Sequence, residues 1–248
     1  MTLEQFFEKN PCAAIAFSGG VDSAFLLAEA VRCGAKIKAY YVKSAFQPLF
    51  ELEDAKKLAA QLGAEMQILD ADVLCHGQIT ANAPDRCYYC KKLIFKTIYK
   101  AAVKDGYNLL LDGTNASDEA SDRPGMKALA ELSVRSPLRE CGLGKEEIRR
   151  SSKEAGLFTW DKPAYACLAT RIPTGEAITA EKLVRTEKAE AYLTSLGFRD
   201  FRVRSSGDTA KLQVTRQDMP KVLEQRETII EELKHYYHAV LLDLEVRP

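Results

Sequence analysis

The sequence contains no apolar run of transmembrane length, and its opening MTLEQFFEKNPC has neither the basic segment nor the apolar core of a signal peptide. The chain is therefore expected to stay in the cytosol, with no membrane partner. It also lacks an excess of charge of either sign. Lys+Arg and Asp+Glu both total 35, so no long-range positive field gathers nucleic acid on electrostatics alone, and a nucleic-acid partner is not expected. Neither internal repeats nor low-complexity tracts are present. Apolar residues at 46% and charged residues at 28% match a soluble globular protein. A length of 248 residues accommodates one main domain and an appendage. Seven cysteines, at 12, 33, 75, 87, 90, 141 and 167, form an odd set without a secretion signal, which places metal binding or chemistry ahead of disulfides.

Residues 13–17 form a continuous apolar run too short for a helix, the mark of a strand buried on both faces of a parallel sheet. After SGGVDS, the residues Ala24, Phe25, Ala28 and Val31 recur at helical spacing until Gly34, ahead of a strand at 37–42. Leu52, Ala55, Ala59 and Leu62 mark a second helix stopped by Gly63, and a strand at 66–69 follows. A Lys-rich helix at 92–104, a strand at 108–111, the loop DGTNASD and a helix at 125–132 continue the alternation. The pattern predicts an α/β fold with a doubly wound parallel sheet over 1–172. The segment DKPAYACLATRIPTG, 161–175, is rich in proline and glycine and marks the boundary. In the remainder, 173–248, Thr179 caps a helix ended by Gly197. Phe201 and Val203 then alternate with Arg202 and Arg204, and Ala210, Leu212 and Val214 with polar residues, predicting two strands with one wet face each. A helix at 219–235 and a closing strand through Val240, Leu242, Leu244 and Val246 complete a small C-terminal α+β unit.

Ser18, Gly19, Gly20, Val21, Asp22 and Ser23 lie between a buried strand and a helix, where backbone N–H groups and the positive helix end attract anions. The glycines admit a phosphate, the hydroxyls add hydrogen bonds, and Asp22 can orient the helix start or hold Mg2+. A plain structural turn is the alternative, but the hexapeptide in this context favours ATP binding. Because the Gly-Lys-Ser/Thr of the Walker loop is missing, the segment resembles the PP-loop of ATP pyrophosphatases, which implies cleavage between the α- and β-phosphates. DGTNASD follows a strand, where open parallel sheets bind ligands. Gly113, Thr114 and Asn115, with Asp112 and Asp118, are thus candidates beside the phosphate loop, an Asx-rich turn being the alternative. Arg123 could pair with a substrate carboxylate.

Cys87 and Cys90 have the spacing that lets two thiolates grip one metal centre. No second CxxC supplies a four-cysteine zinc site, and a thioredoxin-like context is absent. Cys167, in a proline-bounded loop where Arg171 would favour the thiolate, is the natural third partner for a 4Fe-4S cluster, against three independent thiols. Cys12 and Cys33 read as small buried hydrophobes. Arg202 and Arg204 share a strand face and can clamp a phosphate or carboxylate, or simply be solvated. Glu187 and Glu190 are helix neighbours available for salt bridges or acid/base work.

The series FSGGVDS, PDRCYYCKK, DGTNASD with DRPG, VRSPLRE, ACLATRIPTG and GFRDFRVR resembles the LarE family through nearly the whole chain. The resemblance implies an ATP-dependent sulfur transferase of nickel-pincer nucleotide maturation, the cofactor of lactate racemase. Its substrate would be pyridinium-3,5-biscarboxylic acid mononucleotide, adenylated and converted to thiocarboxylates. It further implies Cys167 as the sulfur-bearing cysteine and Arg202, Arg204 and Glu190 as active-site groups. Two forms of the family exist. In one a single cysteine surrenders its sulfur and becomes dehydroalanine; in the other three cysteines hold a 4Fe-4S cluster. Cys87 and Cys90 beside Cys167 point to the second. A sulfur-donor system and a homo-oligomer are expected partners, and a tRNA thiolase is the closest rival. The stretch DEASDRPG departs from the family's DYRPG in lacking its aromatic residue.

Overall fold

The computed structural model describes residues 1–118 and 124–247; Arg123 lies outside them. The chain opens with α1 (Leu3–Lys9), where Thr2 and Gln5 form a reciprocal capping box. The alternation β1 (Cys12–Ala16), α2 (Val21–Arg32), β2 (Lys36–Lys43), α3 (Leu49–Gln61) and β3 (Glu65–Asp70) follows. Next come α4 (Gly77–Thr80), α5 (Arg86–Lys104), β4 (Leu110–Leu111), α6 (Pro124–Glu131), α7 (Pro137–Glu140) and α8 (Lys145–Glu154). A 3-10 turn at Leu168–Arg171 precedes α9 (Ala180–Ser195), β5 (Phe201–Ser206) and β6 (Thr209–Val214). A second 3-10 turn, Arg216–Asp218, leads into α10 (Met219–Glu224), α11 (Arg226–Leu233) and β7 (Ala239–Leu242).

Two compact units result, one of Met1–Val73 with Asp85–Ala164 and one of Leu74–Pro84 with Tyr165–Pro248. In the first, all four strands are parallel in the order β3-β2-β1-β4. Successive side chains of a strand point to opposite faces, and both faces are dry along the middle of β1, the second half of β2 and β4. Ala13, Ile15, Ala39 and Tyr41 pack with Leu27, Leu58 and Ile148. Ala14, Tyr40 and Val42 pack on the other side with Phe95, Ile98 and Leu129. Apolar burial on both faces is what the unbroken apolar runs required, and it produces the doubly wound α/β arrangement. The Lys-rich helix begins earlier than its apolar periodicity indicates: α5 starts at Arg86, so Cys87 and Cys90 occupy its first two turns.

The second unit carries the sheet β5-β6-β7, antiparallel between β5 and β6 and parallel between β6 and β7. Ala189, Leu193, Val203, Leu212, Ile229 and Leu233 form its core between one sheet face and the helices. The expected helix over 219–235 is interrupted at Gln225, and the closing strand ends at Leu242 rather than running to Val246. The division falls at Ala164/Tyr165 instead of 172/173, and an excursion of the chain, Leu74–Pro84, joins the second unit. Asn82 explains the excursion. It is 1% exposed, adopts φ 55°, and donates its amide N–H groups to the carbonyls of Ile172, Pro173 and Glu176 at 3.3, 2.8 and 3.1 Å. Asparagine tolerates this left-handed backbone better than most residues. The Ile178 N–H adds a 2.8 Å bond to Thr80 O.

The loop after β4 leans on the start of α2 so closely that a Cβ on Gly113 would lie 2.8 Å from the Ser23 backbone nitrogen. Gly113→Ala is therefore expected to lower stability by about 1–3 kcal/mol, as overpacking does, in denaturant unfolding of the full chain. Wild-type stability would refute this close approach.

Candidate functional site

The phosphate loop is built by its own hydrogen bonds. Ser23 sits in the first turn of α2, and its hydroxyl accepts the Ser18 N–H at 3.3 Å and lies 3.0 Å from the Ser18 hydroxyl. Ser18 Oγ in turn accepts the Gly20 N–H at 3.3 Å. Gly19 has φ +73°, and a Cβ there would meet the Ala55 Cβ at 3.1 Å, so both backbone and space restrict the position to glycine. Gly20 is the N-cap of α2 and offers no side chain to cover the helix end. The first-turn N–H groups of α2 thus lie beside a loop of small residues, the arrangement that binds phosphate.

Asp22 is the electrostatic centre of this loop. Its Oδ1 accepts the Asn115 side-chain amide at 3.3 Å and its Oδ2 pairs with Lys145 Nζ at 2.5 Å. Asn115 is itself fixed, since its N–H donates to Asp118 Oδ2 and its Oδ1 accepts the Ser117 N–H. Thr114 Oγ1 donates to the buried Asp112, which also accepts the Ser136 hydroxyl at 2.6 Å. Gly113 contacts the Ser18–Ser23 segment directly and Asn115 meets it through Asp22, whereas Thr114 bonds Asp112 within its own loop. Lys145 escaped sequence analysis. Gly144 followed by an acidic first turn signals a helix start, but nothing local shows that the lysine reaches a loop more than a hundred residues away.

Cys87 and Cys90 stand three residues apart on α5 and so share a face. Cys87 is exposed, Cys90 half-buried, neither is disulfide-bonded, and Arg86 Nη2 donates to Cys87 Sγ at 3.6 Å. They form a pair of thiols at the start of a helix, with the Arg86 guanidinium beside one of them. Among the described residues, no three His, Cys, Asp or Glu side chains gather as a metal-binding group. Cys12, expected to be buried, is exposed, because it is the first residue of β1 and lies just ahead of the buried stretch of that strand. Cys33 is half-buried, and burial pushes its thiol pKa up.

Cys167, in the second unit, is half-buried and is the N-cap of the 3-10 turn. A buried ion pair organises this turn. The Arg171 side chain is 0% exposed and that of Glu190 6%, with Nε–Oε1 at 2.7 Å and Nη2–Oε2 at 3.0 Å. The Tyr165 hydroxyl donates to Glu190 Oε2 at 2.6 Å, and the Val203 N–H donates to Oε1 at 2.9 Å. Arg171 Nη1 then donates to Ala166 O at 2.7 Å and to Cys167 O at 3.5 Å. Burial opposes the guanidinium charge, but the hydrogen bonds and charge of Glu190 outweigh it and leave the Arg171 pKa raised. Arg171 thus holds the backbone of Cys167. Glu190 is the anchor of that arrangement, with both its oxygens bonded, and Glu187 is half-buried on the same helix.

The face of β5 expected to be wet is covered. Arg202 is 5% exposed, lies 5.2 Å from the Tyr165 ring centroid and 3.6 Å from Asp200, and donates to Phe201 O at 2.5 Å. Burial lowers its pKa to about 10, helped by the charge of Arg171. Arg204 donates to Gln213 Oε1 at 2.8 Å and Thr170 O at 2.5 Å, and its pKa is lowered for the same reasons. The two arginines do not form a simple clamp. Arg204 lines a cavity of about 660 Å3 with Arg171, Ser206, Thr209, Lys211 and Gln213, whereas Arg202 stacks beside Tyr165. The cavity has the size of a small-molecule site and a cationic wall. Tyr165, on which Arg171 and Arg202 both stack, was also missed, since an aromatic residue before a loop carries no sequence signal of its own.

Glu190→Ala would leave the Arg171 charge buried without its partner, so a loss of about 3–5 kcal/mol is expected in chemical denaturation. A loss below about 1 kcal/mol, the range of exposed pairs, would contradict the anchoring role.

Comparison with known proteins places these features in context. Residues 12–85 match the family model of the queuosine biosynthesis protein QueC. An uncharacterized protein of Synechocystis sp. is 40% identical over 213 residues, 86% of this chain and 80% of the relative. The pyridinium-3,5-bisthiocarboxylic acid mononucleotide synthase of Lactiplantibacillus plantarum is 35% identical over 202 residues, 81% of this chain and 73% of the synthase. An uncharacterized protein of Methanocaldococcus jannaschii is 30% identical over 242 residues, 96% of this chain and 91% of the relative.

Proposed function

Because the chain belongs to the LarE family of ATP-dependent sulfur transferases, we propose that it adenylates a carboxylate of pyridinium-3,5-biscarboxylic acid mononucleotide and converts it to a thiocarboxylate for nickel-pincer cofactor synthesis. The observation that carries this reading is the loop Ser18–Ser23, a phosphate cradle at the α2 N-terminus against which the 112–115 loop is pressed. The product named for the L. plantarum relative supports this choice of substrate.

In this reading the N–H groups around Gly19 and Gly20 bind the ATP phosphates, and Asp22 would hold Mg2+, which would supply positive charge to the phosphates. A substrate carboxylate oxygen attacks the α-phosphorus, the α–β bridging bond breaks, and pyrophosphate leaves. A sulfur nucleophile then adds to the acyl carbon of the adenylate, and the C–O bond to AMP breaks. Arg204 and Lys211 hold an anionic part of the nucleotide substrate in the cavity of the second unit, and Arg202 packs on Tyr165 beside the Arg171–Glu190 pair. Glu190, through Arg171, fixes the Cys167 backbone so that the thiol keeps one position. Cys87, Cys90 and Cys167 would hold a 4Fe-4S cluster, which when bound supplies a position able to carry the transferred sulfur. A neutral chain without membrane-crossing helices among the described residues suits a small-molecule substrate in the cytosol.

Anaerobic incubation with ATP, Mg2+ and the biscarboxylate nucleotide is expected to yield AMP, pyrophosphate and a product in which sulfur replaces oxygen, with the protein mass unchanged. Anaerobically purified protein should be brown with about four irons, and Cys→Ser at 87, 90 or 167 should remove the colour. Colourless active protein with dehydroalanine at Cys167 would replace the cluster with sacrificial sulfur donation. Absence of pyrophosphate release would overturn the adenylation itself.

A further inference from the structure

A loop that binds a triphosphate and releases pyrophosphate needs a cation for the departing charge. Walker loops carry that cation as the lysine of their own motif. Ser18-Gly19-Gly20-Val21-Asp22-Ser23 has none. The fold delivers one from elsewhere: Lys145, the first residue of α8, places Nζ 2.5 Å from Asp22 Oδ2. Its backbone is held independently of this ion pair. The Lys145 N–H donates to Ser117 Oγ at 3.0 Å, and a Cβ on Gly144 would come within 3.1 Å of that hydroxyl. Ser117 belongs to the same turn as Asn115, which bonds the other oxygen of Asp22. The lysine is thus mounted on the turn that flanks the cradle, while its side chain remains one-third exposed at 33%.

We propose that Lys145 is the phosphate-binding cation of this site, and that in the nucleotide-free protein its ammonium is parked on Asp22. A lysine ammonium is a compact point charge on a flexible stem with three donors, suited to exchanging one anionic partner for another. When ATP enters, Nζ leaves the carboxylate for the β- and γ-phosphate oxygens, and Asp22 becomes available to Mg2+. No bond is made or broken in this exchange. AMP has only the α-phosphate and gains much less from it. The inference rests on the nucleotide-site reading above.

Calorimetric titration of the full-length protein with Mg-ATP and, separately, with AMP tests both. Removing one charge-assisted partner from the triphosphate corresponds to a weakening on the order of ten- to a hundredfold. Lys145→Ala and Lys145→Gln are expected to lose ATP affinity by that factor while AMP affinity changes less than about threefold, and Lys145→Arg to recover part of the loss. Thermal unfolding of each variant, followed in parallel, is expected to stay near wild type, because an exposed pair adds little stability. Equal weakening for ATP and AMP, or an unfolding shift that accounts for the loss, would make Lys145 a structural partner of Asp22 and overturn the proposal. Unchanged ATP affinity would overturn it while leaving the nucleotide site intact. Wild-type protein that binds neither nucleotide would remove the site and the inference together.

Discussion

Burial of the Arg171–Glu190 pair is the constraint on which the second unit depends. Two opposite charges taken out of water need near-ideal geometry and further hydrogen bonds to break even. This pair has both, through the Tyr165 hydroxyl, the Val203 N–H and the carbonyls of Ala166 and Cys167. The ion pair therefore ties together a helix, a strand and the turn that begins at Cys167, the strand through the Glu190 carboxylate and the turn through the Arg171 guanidinium. An apolar contact of similar area would add comparable stability but would leave that turn free to slide. The ion pair fixes a distance and an orientation for the turn at Cys167.

The first unit solves a different problem by different means. Its cradle holds its shape through small residues and close backbone approach, with Gly19 and Gly113 occupying places where a Cβ would collide. Around Asp22, Asn115 is buried, whereas the Lys145 side chain stays one-third exposed. The cradle is accordingly fixed in its backbone, and the Cys167 turn is fixed by buried side chains.

The parallel sheet and the tight turn between β1 and α2 were legible in sequence because their signals are local: an apolar run, a glycine pair and a helical period lie consecutively in the chain. Features set by distant partners were not. The alternation in β5 correctly gave a strand and misjudged its second face, since the cover over Arg202 comes from Tyr165, far back in the chain. Periodicity in α5 begins after Cys90, so it missed the first turn, where cysteines and tyrosines break the apolar stripe. Glu187 and Glu190 look equivalent by spacing; only tertiary packing makes Glu190 the one that meets a buried arginine. The domain boundary was displaced for the same reason, because proline and glycine mark where the backbone turns and not which unit it packs against.

Asn82 makes the second unit discontinuous, since the chain visits it at Leu74–Pro84, returns to the first unit, and comes back at Tyr165. No single cut can separate the two as intact pieces, so neither could have been transplanted by a simple end-to-end fusion. During synthesis the early strap must also wait, because its carbonyl partners at 172–176 emerge from the ribosome some ninety residues later. The second unit therefore completes its fold only after the whole of the first unit, which ends at Ala164, has been made.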